Sequence, residues 1–321
     1  MSRPFILIGN YGAGNIGDDA LAEYFLKTVQ SENVLMVRAT RVPSSLPRLP
    51  FGFRSFLRPW WRTIIAIARS RGIIYGGGTL FTDTESISAC VMWWMYAGVA
   101  HIFSKPIYLA FQGVGPFRTR LGEWIARRVF QTATYISVRD EPSLARVRAW
   151  NLRSAPVLTF DPAFVRFLES QTQNSTERVL TLIPRHNSGE SFLLASLQAL
   201  EESSWDHVQI VLMDPSVTER AFAERLRALP LAEQAQVLPV RSVTEFLDVV
   251  STSTLVVAER FHGLLAATAL RIPFRLISTN PGDKFSTLAR YSDPKNSDPT
   301  ALLDLVKAGE RSLLHALHSS E

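Results

Sequence analysis

Short apolar runs alternate with helix-patterned segments along the whole chain, and this alternation limits the possible folds more than any other feature. In the first half, strands are expected at Phe5–Ile8, Val34–Val37, Gly72–Tyr75, Ile107–Phe111, Tyr135–Val138 and Val157–Thr159, with helical patterns at Asp19–Gln30, Trp60–Ser70 and Gly122–Thr132 among them. Runs that are apolar throughout, rather than at every second residue, belong to strands covered on both faces, as in parallel sheets. A polar stretch at Glu169–Thr176 interrupts the pattern. It resumes with strands at Val179–Ile183, Val208–Met213, Gln236–Pro239, Leu255–Ala258 and Phe274–Ile277, separated by helices at Ser191–Glu202, Thr218–Ala228, Thr244–Ser251 and Gly263–Leu270. The expected architecture is α/β, with two Rossmann-like doubly wound domains at 1–168 and 177–297 and a cleft between them. A last helix within 298–321 is expected to pack back on the first domain.

Composition removes several alternatives. With 46% hydrophobic residues, including 19 Phe, 7 Trp and 7 Tyr among 321 residues, the chain can bury a large core, so disorder is excluded. Its one cysteine, Cys90, rules out an internal disulfide framework and Cys-rich metal sites, in keeping with a reducing, cytoplasmic setting. Met1–Pro4 leads directly into the first strand, so no signal peptide is expected. Ile87–Phe103 has no Asp, Glu, Lys or Arg, but at 17 residues, with a strand pattern close behind, it reads as a buried crossover helix rather than a membrane span.

The net charge is +5, unevenly spread: Arg38–Arg71 holds eight arginines and no acidic residue, leaving −3 for the rest of the chain. Aromatics interleave with these arginines from Phe51 to Arg62. Residues 38–71 therefore suit docking at the inner face of an anionic membrane or against an anionic polymer, with a solvated loop leading into a helix as the alternative. No nucleic-acid partner is expected.

Several motifs sit at strand ends. Gly9–Ala20 places Gly12, Gly14 and Gly17 ahead of a helix, with Asn15, Asp18 and Asp19 around them. Glycines there permit close ligand approach, and the helix N-terminus favours an anion, although Asp18 and Asp19 equally suit an N-cap and first turn. Gly76-Gly77-Gly78-Thr79 and Gln112-Gly113-Val114-Gly115 are expected as two further loops on the same rim, giving Gly77, Gly78, Thr79, Gln112 and Gly113 as candidate contacts. Arg139, before Asp140-Glu141-Pro142, could bind an acidic ligand or pair with these carboxylates. The sharpest motif is Glu259-Arg260-Phe261-His262-Gly263, a cation and an imidazole in a strand-to-helix turn. No metal-ligand spacing, Walker loop or nucleophile elbow occurs, and Arg38-Ala39-Thr40-Arg41 stands where a dinucleotide site would need an acid.

In this order, Gly14–Ala20, Gly76–Leu80, Gln112–Pro116, Val138–Glu141, Asp161–Ala163 and Arg260–Gly263 resemble the polysaccharide pyruvyl transferase family. The resemblance implies a GT-B-like fold and transfer of a pyruvyl group from phosphoenolpyruvate to a sugar of a polysaccharide or lipid-linked precursor, as a ketal, with no cofactor or metal. It places Arg260 and His262 at the donor. Arg185 and Lys284 join them as cations on loop position, since a phosphate and a carboxylate on three carbons call for several positive groups. His262 is then the general acid, and Asp18, Asp83 and Glu259 are the candidate bases. A nucleotide-sugar glycosyltransferase and a non-catalytic glycan-binding protein are the alternative functions.

Overall fold

The computed structural model describes residues 3–29, 33–40, 44–50, 57–84, 86–170, 176–214, 216–277, 285–294 and 298–319. They form two compact units: Met1–Ala13, Leu21–Pro162 and Leu302–Glu321 make the first, Gly14–Ala20 and Ala163–Ala301 the second.

The first unit is built on a seven-stranded sheet of β1 (Phe5–Ile8), β2 (Val34–Arg38), β3 (Leu46–Pro47), β4 (Gly72–Phe81), β5 (Ile107–Val114), β6 (Tyr135–Val138) and β7 (Val157–Leu158), in the order β3-β2-β1-β4-β5-β6-β7. Every pairing is parallel. From β3 onward the chain crosses the sheet in one direction through α2 (Trp61–Arg69), α3 (Ile87–Ile102), α4 (Arg120–Thr132) and α5 (Glu141–Ala149). Right-handed crossovers put these helices on one face. There Ile67, Trp93, Phe130 and Val147 share a core with Ile6, Ile73, Tyr75 and Leu109. The helix α12 (Thr300–His318) belongs to this unit from Leu302 on, burying Val306, Leu313 and Leu317. Its Gly309 lies against Thr159 and Phe111, and Glu310 accepts a 2.8 Å hydrogen bond from Tyr24 in α1 (Ile16–Thr28).

The second unit has a five-stranded parallel sheet of β8 (Val179–Ile183), β9 (His207–Leu212), β10 (Gln236–Pro239), β11 (Leu255–Ala258) and β12 (Phe274–Leu276), in the order β10-β9-β8-β11-β12. Its helices are α6 (Ala163–Leu168), α7 (Glu190–Glu201), α8 (Val217–Arg227), α9 (Val243–Ser251), α10 (Phe261–Ala269) and the short α11 (Ser286–Ala289). Both sheets reverse strand order at an inner strand, β1/β4 and β8/β11, where open α/β sheets bind ligands at the carboxyl ends.

The main departures from expectation have local causes. The glycine motifs at 76–78 and 112–113 are not loops after strands: β4 and β5 continue through them, with a register shift between Gly78 and Phe81. Edge strand β3 and helix α6 add to the expected elements. α6 precedes the polar stretch at 169–176 yet falls in the second unit, because Phe167 packs its ring on Phe246 of α9 and the helix lies along α10. α3 is the crossover between β4 and β5, with Trp93 and Tyr96 buried. Among the described residues, no helix is long and apolar enough to cross a membrane. Cys90 is buried in α3, where desolvation and the nearby Asp83 push its thiol up to about 11, so it is no nucleophile near neutral pH.

Candidate active site

In the second unit, four of the expected residues, Asn15, Gly17, Asp18 and His262, gather around α1 and α10. Asn15, rather than either aspartate, caps α1: its Oδ1 accepts from Gly17 N at 3.2 Å, and its carbonyl accepts from the amides of Asp18 and Asp19. Asn15 Nδ2 also donates to Asp18 Oδ2 at 2.9 Å, so Asp18 and Asp19 occupy the first turn, where the helix dipole favours a carboxylate. Gly17 is glycine because of His262. A Cβ added there would lie 1.9 Å from Nδ1 and 2.4 Å from Cγ and Cε1, so the imidazole rests on the Gly17 backbone. The ring of Phe261 meets His262 edge to face and also packs on Phe285.

Arg260 ends the turn from β11 and occupies the N-cap position of α10. Its Nε donates to Pro184 O at 3.2 Å and to Glu219 Oε1 at 3.0 Å, and its Nη2 donates to the same carboxylate oxygen. Asp214 lies 4.0 Å away. Glu219 is fully buried; burial pushes its carboxyl above the usual range, against the opposing pull of the Arg260 guanidinium. Arg260 is therefore a cation ion-paired with a buried carboxylate. Its Nη1 donors remain uncommitted among the described residues.

Sequence reasoning missed Glu219, although a signal was present. Ser216 and Glu219 stand at capping-box spacing at the start of α8: Ser216 Oγ accepts from Glu219 N at 3.4 Å, while Glu219 turns back to accept from Asp214 N at 2.8 Å. Arg185 follows β8, and its amide donates to Ser188 Oγ at 2.8 Å; that hydroxyl in turn donates to Glu259. Arg185, Ser188, Glu259, Arg260 and Glu219 thus surround the carboxyl ends of β8 and β11 in one unit. Lys284 lies outside the described residues.

The remaining candidates form a separate cluster in the first unit. Arg139 is 2% exposed and is ion-paired with the fully buried Asp161. It also donates to Thr79 Oγ1 at 2.6 Å, and its Nε lies 4.0 Å from Asp140. Asp140, one of the carboxylates anticipated as its partners, also caps α5, accepting from Ser143 N at 2.7 Å. A Cβ on Gly113 would meet Thr79 and Arg139 at 2.7 and 3.0 Å. A Cβ on Gly76 would come within 2.1 Å of the hydroxyl of buried Tyr11, which donates to Gly76 O. Internal packing therefore accounts for Gly76 and Gly113 without a ligand. Gly77 and Gly78 take positive φ at the irregularity in β4. Gln112 is buried, its Nε2 donating to the carbonyls of Tyr75 and Ala110 at 2.9 Å each.

Among the three candidate bases, Asp83 is committed elsewhere. It accepts from Arg118 N at 2.6 Å and from Thr119 N and Oγ1 at 2.9 and 2.5 Å, at the start of α4. Burial would raise its carboxyl, but these donors outweigh that and hold it below the ordinary value.

Two parallel Rossmann-like sheets, with motifs at the carboxyl ends of their strands, place the chain among GT-B-like proteins. Solved structures agree. Anabaena HepE in complex with UDP-glucose is similar at 11% identity over 98% of this chain and 99% of that one, with a TM-score of 0.65. The UDP-GlcNAc 2-epimerase from Methanocaldococcus jannaschii is similar at 10% identity over 99% and 100%, TM-score 0.61. The UDP-N-acetylglucosamine 2-epimerase from Rickettsia bellii is similar at 14% identity over 99% and 97%, TM-score 0.59. At such identities the likeness is one of fold. No curated protein sequence is a significant match. Residues 15–281 match the polysaccharide pyruvyl transferase family, and the chain belongs to that family.

Proposed function

We propose that this polysaccharide pyruvyl transferase moves the pyruvyl group of phosphoenolpyruvate onto two hydroxyls of a sugar in a polysaccharide or lipid-linked glycan, releasing phosphate. The observation that carries the reading is the seat of His262 on Gly17, which joins the family's first and last motifs in one unit beside Arg260. Arg260, through its uncommitted Nη1 donors, and Arg185 bind the donor's anionic groups. His262, as imidazolium, gives its proton to the donor's methylene carbon, which becomes the methyl group. The adjacent carbon gains oxocarbenium character. One sugar hydroxyl attacks that carbon and loses its proton to a base; the second hydroxyl then displaces phosphate, closing the ketal, its proton restoring the imidazolium while the phosphate leaves with the proton held by the base. We assign the base role to Asp18, which adjoins Gly17, the seat of His262, in the first turn of α1.

The test is a screen of sugar acceptors with phosphoenolpyruvate, following phosphate release and product mass. Phosphoenolpyruvate should raise the melting temperature, and His262→Gln should retain that shift while losing about 10²–10⁴-fold in phosphate release. Wild-type turnover in His262→Gln would remove the imidazole from the mechanism. A second reading, nucleotide-sugar transfer, draws on the likeness to HepE with UDP-glucose bound. Protection by UDP-glucose and none by phosphoenolpyruvate would favour it.

A further inference from the structure

The first unit carries a second feature, on the helices that alternate with its motifs. α2, α3 and α4 lie side by side on one face of its sheet, α3 between the other two. Their inner sides fill the core, yet each presents an indole outward: Trp61 is 55% exposed, Trp94 41% and Trp124 46%. Trp94 and Trp124 touch across the α3–α4 seam, with ring centroids 6.5 Å apart. Ile65 stands one turn after Trp61 and Leu121 one turn before Trp124, both also exposed. An isolated exposed apolar residue needs no explanation; a row of them across three adjacent helices does.

The charge around this row is of one sign. Residues 57–70 and 118–132 contain seven arginines and a single acidic residue, Glu123, which is engaged by the Trp150 indole at 3.0 Å. Between them α3 has no Asp, Glu, Lys or Arg. Arg128 stacks over Trp124 at 5.2 Å, and Arg62 and Arg120 are exposed beside Trp61 and Leu121. Indoles favour the boundary between apolar and polar phases, and arginines favour anionic headgroups.

We infer that the outer face of α2, α3 and α4 docks on an anionic lipid surface. A second copy of this chain is the weaker occupant, because a two-fold interface would bring the exposed Arg62, Arg120 and Arg128 against a second set of the same arginines. The docking face moves the sequence expectation from residues 38–71 to a surface that α4 completes; the aromatic stretch at 51–56 lies outside the described residues and is not needed. The inference uses the first unit alone, so it stands apart from the donor chemistry proposed for the second.

The experiment is co-sedimentation of the full chain with phosphatidylcholine vesicles, with and without phosphatidylglycerol, together with sedimentation velocity of the protein alone. Binding should require phosphatidylglycerol and weaken with salt. The exposed triple variant Arg62→Glu, Arg120→Glu, Arg128→Glu should bind about a hundred-fold more weakly. Brominated acyl chains should quench the tryptophan fluorescence of the unsubstituted protein, a readout that does not depend on any variant folding. Equal partition onto both vesicle types, no bromine quenching, or undiminished binding by the triple variant would overturn the inference. A dimer dispersed by the same substitutions, with no vesicle binding, would assign the face to self-association instead.

Discussion

His262 and Gly17 show how a single missing side chain can fix where an imidazole sits. The imidazole occupies the space that any other residue at 17 would fill, so Gly17→Ala must push the ring away by more than 1 Å to reach ordinary contact. Displacement on that scale costs about 10²-fold in rate when a group must meet a reacting atom. Gly17→Ala should therefore lose phosphate release by about that factor, with an unchanged melting temperature shift by phosphoenolpyruvate; full activity would show that the ring's seat is unimportant. Glu219 permits a complementary test. Glu219→Gln keeps the shape but leaves the Arg260 cation, 12% exposed, without its buried counter-charge. Urea denaturation should show a loss of about 3 kcal/mol, and an anionic donor should restore more stability to the variant than to the parent. Arg260 and His262 were legible in the sequence because a strand end and a helix start bracket them. Glu219 was not, because its partner is remote in the chain and its capping-box spacing looks the same whether or not the carboxylate turns inward.

At the level of elements, parallel strands were readable because burial on both faces leaves runs without polar residues, as in Phe5–Ile8 and Val179–Ile183. Glycine was the ambiguous letter. In β4 and β5 it marks places where Tyr11 and Arg139 press against backbone, so strands that seemed to stop at Tyr75 and Phe111 run on to Phe81 and Val114. Asp83, just past β4, couples that strand to the start of α4. Its carboxyl is held below the ordinary value of about 3.9, so its stabilising contribution is complete above that pH and is lost as pH falls through the lower, folded value. Asp83→Asn should cost about 1–2 kcal/mol at pH 7, as loss of a helix-start acceptor does. The deficit should begin to shrink below about pH 4, where the carboxyl of the unfolded chain protonates, and close as pH falls through the lower, folded value. Chemical denaturation across this range checks it, and a pH-independent deficit would show that Asp83 acts through shape rather than charge.

Across the whole molecule, chain order and spatial order part company at both ends: Gly14–Ala20 joins the second unit, and α12 returns to the first. Periodicity announced α12 as a helix, but nothing local named Thr159 and Phe111 as the surface against which its Gly309 lies. The pairing can be tested because the probes are unevenly placed. Six of the seven tryptophans, 60, 61, 93, 94, 124 and 150, lie in the first unit, and only Trp205 lies in the second. Leu313 is fully buried, so Leu313→Ala should remove about 2–5 kcal/mol from the unit that holds it. The fluorescence-detected urea transition should then move to lower denaturant. Part of the far-ultraviolet circular dichroism signal, that of the five-stranded unit, should persist to the parent midpoint. If both signals move together, the two units unfold as one cooperative body, and α12 stabilises the entire chain rather than the sheet on which it rests.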